Sequence, residues 1–391
     1  MKSKTFKIVL AISLIIIVVS GSAILAVLLR ERGSNTDITS DYNFEASEEF
    51  SDEYTGEYSD GFQPDYREGY ENENGNTHAN LCNNGIAAEQ DGWIYHYVRI
   101  GNSNGKGSTS TIYKHKSDSA TETVVAQLDV YISKISVKGD YIYFLYGGKE
   151  LYRIRTDGTM MEDVFVNENY IDEKNYMIVG GYIYTTKEEQ YSSVSYSTWV
   201  VRYDINNTSS FEKIYKLNEE DTYYGVTGNY VVTKQKSESF VEDVLWIYNM
   251  ETGDIAKHTC ASGVFCYNVQ LCDDAVYYTN NYYNAVVKLD LTDMSVSVAE
   301  NENLSINSIN FIDENKIYLK QGNWMWSSTM LVEASFSMLE SGRCYELLEE
   351  EAKDICVVGD WIYYTSGSYG MENYCRVKND GTQWEMLYAH S

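Results

Sequence analysis

One pattern repeats seven times between Gly85 and Leu387: a short apolar strand, a turn of the Gly-Asp or Asp-Gly kind, an aromatic strand and a strand that ends in charge. The central apolar residues of the copies lie 48, 41, 48, 45, 41 and 45 positions apart; they are Ile94, Ile142, Ile183, Val231, Val276, Ile317 and Ile362. This period is typical of a four-stranded propeller blade rather than of a helical solenoid. The sequence therefore predicts an all-β fold, a seven-bladed β-propeller over residues 81–391, with six blades as the alternative.

The first 32 residues have a different composition. Lys2, Lys4 and Lys7 precede an uncharged run over residues 8–29. As a helix this run spans about 33 Å, enough for the hydrocarbon core of a bilayer. A cleaved signal peptide has a shorter apolar core, of about 7–15 residues, so the run is predicted to be one uncleaved transmembrane helix. The positive charge before it predicts a single-pass protein of the cell membrane, with residues 1–7 in the cytoplasm and the propeller outside.

Acidic and polar residues fill the stretch between this run and the repeats. Residues 33–80 contain thirteen Asp and Glu residues and one Arg. Such a stretch repels itself and has little apolar surface to bury. Residues 30–80 are therefore predicted to be a disordered acidic tether.

The repeats are acidic as well. Residues 81–391 carry a formal net charge of −20, because the first 32 residues contribute +4 and residues 33–80 contribute −12 to the total of −28. Phosphate backbones and anionic headgroups repel such a domain, so nucleic-acid binding and peripheral lipid docking are disfavoured. The predicted partners are neutral or cationic, and the membrane is contacted through residues 8–29 alone. Colloidal solubility is the other interpretation of the same charge.

Seven cysteines cannot all pair within one chain, so at least one thiol is free or pairs elsewhere. Cys356 and Cys375 are predicted on the first and third strands of the last blade, about 10 Å apart and beyond disulfide reach. Cys260 and Cys266 flank a turn and are the favoured pair among the connectivities that the sequence leaves open. His258 and the nearby cysteines lack the paired short spacings of a zinc site. No metal and no cofactor is predicted.

Two motifs give the repeats a specific resemblance. Residues 277–280 (Tyr-Tyr-Thr-Asn) and 363–365 (Tyr-Tyr-Thr) form aromatic strands, while 153–159 (Arg-Ile-Arg-Thr-Asp-Gly-Thr) and 376–382 (Arg-Val-Lys-Asn-Asp-Gly-Thr) combine a charged strand with a hairpin turn. In these motifs the chain resembles the Tyr-Trp-Thr-Asp repeats of low-density-lipoprotein-receptor propellers. It is more closely similar to a bacterial family, the receptor-related β-propeller domain of unknown function, which is common in membrane-anchored proteins. The resemblance covers about residues 81–391 and implies a propeller at the cell surface with no established reaction.

No catalytic constellation stands out in the sequence. Residues 101–105 (Gly-Asn-Ser-Asn-Gly) fit the bare pattern of a serine-hydrolase elbow, but residues 106–110 lack the helical period that an elbow requires. Carboxylates are so abundant that no spacing singles out an acid and a nucleophile of a glycosidase. No catalytic residue is therefore assigned.

Aromatic residues recur in the loops predicted between the second and third strands of successive blades. These loops open on the face where the central channel of a propeller receives ligand. Exposed aromatic rings stack on sugar rings and peptide side chains, although they also fold back over blade edges. The candidate ligand face consists of Tyr191, Tyr196, Tyr282, Tyr283, Trp324, Trp326 and Tyr369.

These observations predict a non-catalytic binding or interaction module for an envelope glycan or a surface protein, held at the membrane, and not an enzyme. The first alternative is a hydrolase of envelope glycans. The second is an extracellular sensor, which would need a partner because only about seven residues precede the membrane span.

Overall fold

Seven sheets of four antiparallel strands make up the described part of the chain, as the repeat predicts. The structure is a computed structural model, and it describes residues 75–101, 108–119, 121–165, 176–192, 195–218, 220–235, 243–260, 266–280, 284–300, 306–313, 316–323, 326–367 and 372–389. The transmembrane helix predicted at residues 8–29 lies outside these ranges. Within them, no helix has the length and apolar character needed to cross a membrane.

Each blade consists of four strands that are consecutive in the chain. Blade 1 has β1 (Ala87–Gln90), β2 (Trp93–Gly101), β3 (Ser108–Lys116) and β4 (Thr123–Leu128); blade 2 has β5 (Ile132–Lys138), β6 (Tyr141–Tyr146), β7 (Glu150–Arg155) and β8 (Glu162–Asp163); blade 3 has β9 (Met177–Val179), β10 (Tyr182–Ser192), β11 (Ser195–Asp204) and β12 (Asn207–Lys216).

The remaining blades follow the same order. Blade 4 has β13 (Asp221–Thr227), β14 (Tyr230–Gln235), β15 (Val244–Asn249) and β16 (Ile255–Thr259); blade 5 has β17 (Tyr267–Cys272), β18 (Ala275–Thr279), β19 (Ala285–Asp290) and β20 (Val296–Glu300); blade 6 has β21 (Ile306–Asp313), β22 (Lys316–Asn323), β23 (Trp326–Ala334) and β24 (Tyr345–Leu348); blade 7 has β25 (Lys353–Val358), β26 (Trp361–Ser366), β27 (Asn373–Lys378) and β28 (Glu385–Tyr388). Two short helices are α1 (His78–Cys82) before blade 1 and α2 (Phe336–Glu340) in blade 6.

The aromatic strands form because both of their faces are buried between neighbouring blades. Ile142 at the centre of β6 is 0% exposed, and Tyr143 beside it is 1% exposed although it points to the other face. The turns before the aromatic strands of blades 2 and 7 have a positive backbone angle, which Gly139 (φ 59°) and Gly359 (φ 53°) supply. The repeat therefore encodes both the packing and the turns of the blade.

The cysteines lie as the sequence predicts. A disulfide joins Cys260 and Cys266. Cys356 on β25 and Cys375 on β27 are both free thiols.

The ring has to close between blades 1 and 7. Among the described strands no strand is exchanged between these two sheets, since β1–β4 and β25–β28 each form a complete blade. Closure therefore depends on side-chain contacts. One apolar cluster spans the joint and continues into blade 2; it includes Ile94, Ile142 and Tyr363.

Candidate functional site

The segment that precedes blade 1, residues 75–85, lies among the first strands of all the blades; we call it the axial segment. Gly75 donates its N–H to the carbonyl of Ile178 in β9 (3.3 Å) and accepts the N–H of Val137 near the end of β5 (2.7 Å). Nine residues later, the carbonyl of Asn84 accepts the N–H of Lys134 near the start of β5 (2.7 Å). The axial segment therefore runs along the ring axis, antiparallel to the first strands.

Asn76 attaches the N-terminal end of the axial segment to blades 1 and 2. Its side-chain amide donates to the carbonyls of Ala87 and Ile135, both at 2.8 Å. One side chain thus bridges the first strands of two neighbouring blades.

His78 attaches the axial segment to blades 4 and 5. Its Nε2 lies 2.8 Å from the carbonyl oxygen of Tyr224, and its Nδ1 accepts the backbone N–H of Leu271 at 3.0 Å. A carbonyl accepts and an N–H donates, so these contacts fix the neutral imidazole with its proton on Nε2. Burial lowers the pKa of His78 to about 4, consistent with this form.

Asn80 attaches the axial segment to blades 6 and 7. Its Nδ2 donates to the carbonyl of Val357 (2.9 Å), and its Oδ1 accepts the N–H of the same residue (2.8 Å), as a neighbouring strand would. Its Oδ1 also accepts a hydrogen bond from Asn310 Nδ2 at 2.8 Å. Asn80 is 1% exposed. With Ile178 in blade 3, every blade has a hydrogen bond to the axial segment.

This part of the site was missed by the sequence interpretation, which assigned residues 75–80 to the tether. The physical reason for their order is that the first strands present backbone groups toward the axis, and buried backbone groups need partners. Side-chain amides carry a donor and an acceptor, as a peptide group does. A signal was present: the last tether carboxylate is Glu73, and Thr77 three residues before Asn80 is a helix N-cap.

Cys82 and His78 form the one cysteine–histidine contact seen among the described residues, with Sγ 3.4 Å from Nδ1. A thiol becomes a nucleophile when a neighbouring base takes its proton. Here Nδ1 already accepts the N–H of Leu271, and the low pKa of His78 makes it a poor base. The pair is therefore part of the packing of the axial segment and not a catalytic dyad.

Gly225 in β13 gives the first direct test of the axial segment. A Cβ at this position would lie 2.7 Å from His78 Nε2 and 2.7 Å from Met177 Sδ. Gly225→Ala is therefore expected to lower the free energy of unfolding by about 1–3 kcal/mol in urea denaturation, as overpacking does. Gly181→Ala is the control, because a Cβ there meets nothing within 4 Å. Equal effects of the two changes would contradict the packing of His78 against blade 4.

A second group of polar side chains lies between blades 1 and 7; we call it the seam network, and it consists of His96, His115, Glu122, Tyr363, Arg376 and Glu385. Arg376 Nη1 lies 3.1 Å from Glu122 Oε1 and 2.9 Å from His115 Nε2. Its Nη2 donates to Glu385 Oε2 at 2.7 Å. His96 Nε2 contacts the same Glu122 oxygen at 2.9 Å.

The seam network joins blades, and its arginine, histidines and tyrosine are closed to substrates, whereas Glu122 and Glu385 are 23% and 47% exposed. Arg376 and His115 are 0% exposed, and His96 and Tyr363 are 1% exposed. Within the described ranges, no three His, Cys, Asp or Glu side chains are arranged to hold a metal ion. At the seam, the guanidinium of Arg376 already occupies the position of the cation between the carboxylates.

The predicted ligand face is only partly described. Tyr282, Tyr283, Trp324 and Tyr369 lie outside the described residues, as do the side chains of Tyr191 and Trp326. Tyr196 is 56% exposed on β11, which forms a hairpin with β10. The turn of this hairpin lies at the end of the blade where the first strand, β9, starts. Three residues of the predicted ligand face belong to strands rather than to the predicted loops: Tyr191, Tyr196 and Trp326. The reason is that β10 and β11, and likewise β22 and β23, are longer than predicted and pair almost up to their turn.

Of the elbow-like residues 101–105, residues 102–105 lie outside the described residues. The described chain resumes at Ser108 in strand β3, which is paired with Gly101 of β2, and residues 108–110 are therefore strand rather than the helix that an elbow requires. Among the described histidines, the ring contacts are with backbone groups and with Cys, Tyr, Glu and Arg side chains rather than with a serine hydroxyl. The described part of the chain therefore holds no serine–histidine pair.

No protein-family model and no curated protein matches the sequence. Solved structures match the fold. A prolyl endopeptidase is similar at a TM-score of 0.55 and 13% identity, over 80% of this chain and 51% of that chain. A puromycin hydrolase is similar at 0.55 and 10%, over 80% of this chain and 55% of that one. An oligogalacturonate lyase in complex with manganese is similar at 0.51 and 10%, over 72% of this chain and 92% of that one.

The chain spans about half the length of the two hydrolases. At such identities the likeness shows the seven-bladed propeller fold. Of these matched structures two are hydrolases and one is a lyase; an acylaminoacyl peptidase is a further match, and none of the four is a receptor propeller. This finding contradicts the predicted non-catalytic module for envelope glycan or surface protein, and with it the prediction that the chain is not an enzyme. The alternative prediction, a hydrolase of envelope glycans, agrees better with these matches, although the matched peptidases cleave peptide bonds rather than glycosidic bonds.

Proposed function

We propose that this chain is the propeller part of a peptide hydrolase, where it admits and orients peptides for cleavage. The observation that carries the proposal is the likeness of 80% of the chain to about half of a prolyl endopeptidase. The fold alone does not define an activity. A feature of this chain therefore matters: its axis already holds a peptide segment through hydrogen bonds to every blade.

The acidic ring favours neutral or basic peptides. A net charge of −20 over residues 81–391 attracts cationic chains and repels acidic ones, by an amount that falls as the salt concentration rises. Tyr196 and the other aromatic residues of the predicted ligand face would stack on the side chains of such peptides.

The hydrolytic groups are proposed to come from outside the described propeller, from a hydrolase domain or a partner polypeptide. The described histidines have their contacts inside the ring, and none of them faces a serine hydroxyl. The division of labour would leave binding to the propeller and bond cleavage to the second component.

We also propose the location that the sequence predicts. A membrane anchor at residues 8–29 and a tether up to the axial segment would present the hydrolase outside the cell. Peptides of surface or secreted proteins are then the substrates. The finer resemblance to the bacterial receptor-related propeller domain is consistent with such a location.

The test is hydrolysis of internally quenched peptides by the full chain, isolated from the cells that produce it so that an associated hydrolase is retained. We expect the peptides to be cleaved. Tyr196→Ala should raise KM about 5- to 10-fold with kcat unchanged, the pattern for a lost substrate contact. Tyr345→Ala is the matched control, because Tyr345 is 65% exposed on the outermost strand of blade 6. The absence of any peptide cleavage by the isolated material would contradict the proposal.

A lyase is the second candidate, because the oligogalacturonate lyase is matched over 92% of its length by a propeller of this size. The described residues do not fit the manganese of that complex, since they contain no suitable group of metal ligands. The same preparation incubated with oligogalacturonate and Mn²⁺ is expected to form no unsaturated product.

A further inference from the structure

We infer that the axis of the ring is a peptide-binding site whose present occupant is the chain's own axial segment, which excludes other peptides while it is bound. The inference deepens the proposed function by naming where a peptide binds and what keeps it out. The inference rests on the proposed function only in taking a peptide as the ligand. The binding is measured directly, without any hydrolysis.

The site is built from the backbone of the first strands. Leu271 and Val357 offer N–H groups, and Ala87, Ile135 and Tyr224 offer carbonyls, all at 2.8–3.0 Å from side chains of the axial segment. Backbone groups bind any peptide that presents complementary donors and acceptors. The site therefore binds side-chain amides and a neutral imidazole, and it does not select charged side chains.

The spacing of those side chains defines the ligand. Asn76, His78, Asn80 and Asn83 each donate to or accept from a first strand, so the recognised pattern is Asn-x-His-x-Asn-x-x-Asn. None of residues 75–85 is charged at neutral pH, in contrast with the acidic stretch before them. A short uncharged peptide rich in asparagine is the chemical class that fits.

The channel also has the shape of this segment. A Cβ on Gly75 would lie 3.0 Å from Ser136 Cβ, and one on Gly85 would lie 2.8 Å from Lys134 Cα. Ala79 and Leu81 are 1% and 3% exposed, and Leu81 packs in the apolar cluster of blades 3 and 4. A second peptide has no room on the axis while the segment is in place, so the occupied state is self-inhibited.

In the competing interpretation the axial segment is a clasp, a permanent part of the fold. It would hold the ring together, because among the described strands none is exchanged between blades 1 and 7. The two interpretations differ in one measurable property. A bound ligand leaves and returns while the ring stays folded, whereas a clasp leaves only when the ring unfolds.

The first measurement is binding of a fluorescein-labelled synthetic peptide of residues 74–86, carrying Cys82→Ser, to the full chain by fluorescence polarisation. Wild type is expected to bind it weakly, since the axis is occupied. Asn80→Ala, which weakens the chain's own segment, is expected to bind it at least 20-fold more tightly. The same peptide with Asn80→Ala should not bind. Asn280→Ala is the matched control, because Asn280 is 8% exposed and its side chain, among the described residues, bonds to Asn284 and Ala285 of its own blade 5.

A milder variant covers the case in which Asn80→Ala does not fold. Asn83→Ala removes one contact, the hydrogen bond from Asn83 Nδ2 to the carbonyl of Ile309 at 2.7 Å. It is expected to increase peptide binding less than Asn80→Ala but above wild type. A folded variant that binds no more peptide than wild type overturns the inference.

Hydrogen exchange of the wild-type chain gives the second measurement. The amides of Val137, Leu271 and Val357 donate to the axial segment. They are expected to exchange at least tenfold faster than the buried amides that pair within β14 and β15. Exchange of both sets at one common rate would show a clasp and overturn the inference. Neither measurement depends on cleavage, so the test of this inference remains valid even if the hydrolysis assay is negative.

Discussion

Arg376→Met is expected to lower the free energy of unfolding by about 2–3 kcal/mol, below the range for a fully buried ion pair because the partners Glu122 and Glu385 are 23% and 47% exposed. The side chain of Arg376 is 0% exposed and lies between Glu385 of its own blade and Glu122 of blade 1. Without it, the Glu122 carboxylate at the seam loses its guanidinium partner, and His115 Nε2 loses a donor. Because the seam closes the ring, the loss should appear in the cooperative unfolding of the whole propeller, measured by urea denaturation.

Arg153→Met is the matched control for this prediction. Arg153 has the equivalent place in blade 2, opposite Tyr143 as Arg376 is opposite Tyr363, and it pairs with Glu162 of the same blade. Its side chain is 24% exposed, so its ion pair is screened by water. The expected loss is about 1 kcal/mol or less. Similar losses for the two variants would show that the seam network does not link blades 1 and 7.

The comparison of these two arginines shows what the sequence can and cannot predict. Both stand in the same motif, at the start of residues 153–159 and of 376–382, and the motif predicts a charged third strand in each blade. Only ring closure brings β3 next to β27, over more than 250 residues of chain, and makes one arginine a seam residue. The repeat predicts the blades because each is local, whereas contacts between the first and last blades depend on the number of blades.

The axial segment was missed for a different reason. Asn, Thr and Gly in residues 75–85 have the composition of a loop, and in isolation their amide side chains would bind water. Their order comes from the first strands of the seven blades, which offer backbone groups on one axis, and all of these strands except β1 are far away in the sequence. Residues whose structure is imposed by the assembled ring carry a weak local signal, which here was the end of the acidic stretch at Glu73.

Acid is expected to destabilise the propeller through two buried histidines. His78 accepts the N–H of Leu271 at Nδ1, so a proton on that nitrogen would set two donors against each other, and the nearby Lys134 opposes a second positive charge. His258 is 6% exposed, with Nε2 2.8 Å from the hydroxyl of Tyr278. Burial lowers the pKa of each histidine to about 4.

The sign of the effect follows from proton binding. In the unfolded chain both histidines titrate near 6.5, so between pH 6.5 and 4 the unfolded state binds protons that the folded state does not. The free energy of unfolding therefore falls as the pH falls through this window. The loss by pH 4 amounts to about 3 kcal/mol for His258, at 1.36 kcal/mol per pKa unit, and to at most that for His78, whose segment can leave the axis before the ring unfolds. Stability at and above pH 7 is unaffected by these two groups.

His258→Gln isolates one of the two contributions. Glutamine cannot be protonated in this range, so the variant should lose stability with falling pH less steeply than wild type. Urea denaturation at pH 7, 5.5 and 4.5 is expected to show the difference between wild type and variant narrowing by about 2–3 kcal/mol over this range. Carboxylates with shifted pKa values, such as Asp354 and Glu122, are present in both proteins and cancel in the difference. Parallel pH profiles would mean that His258 is protonated in the folded ring, with the Tyr278 hydroxyl then accepting from its imidazolium.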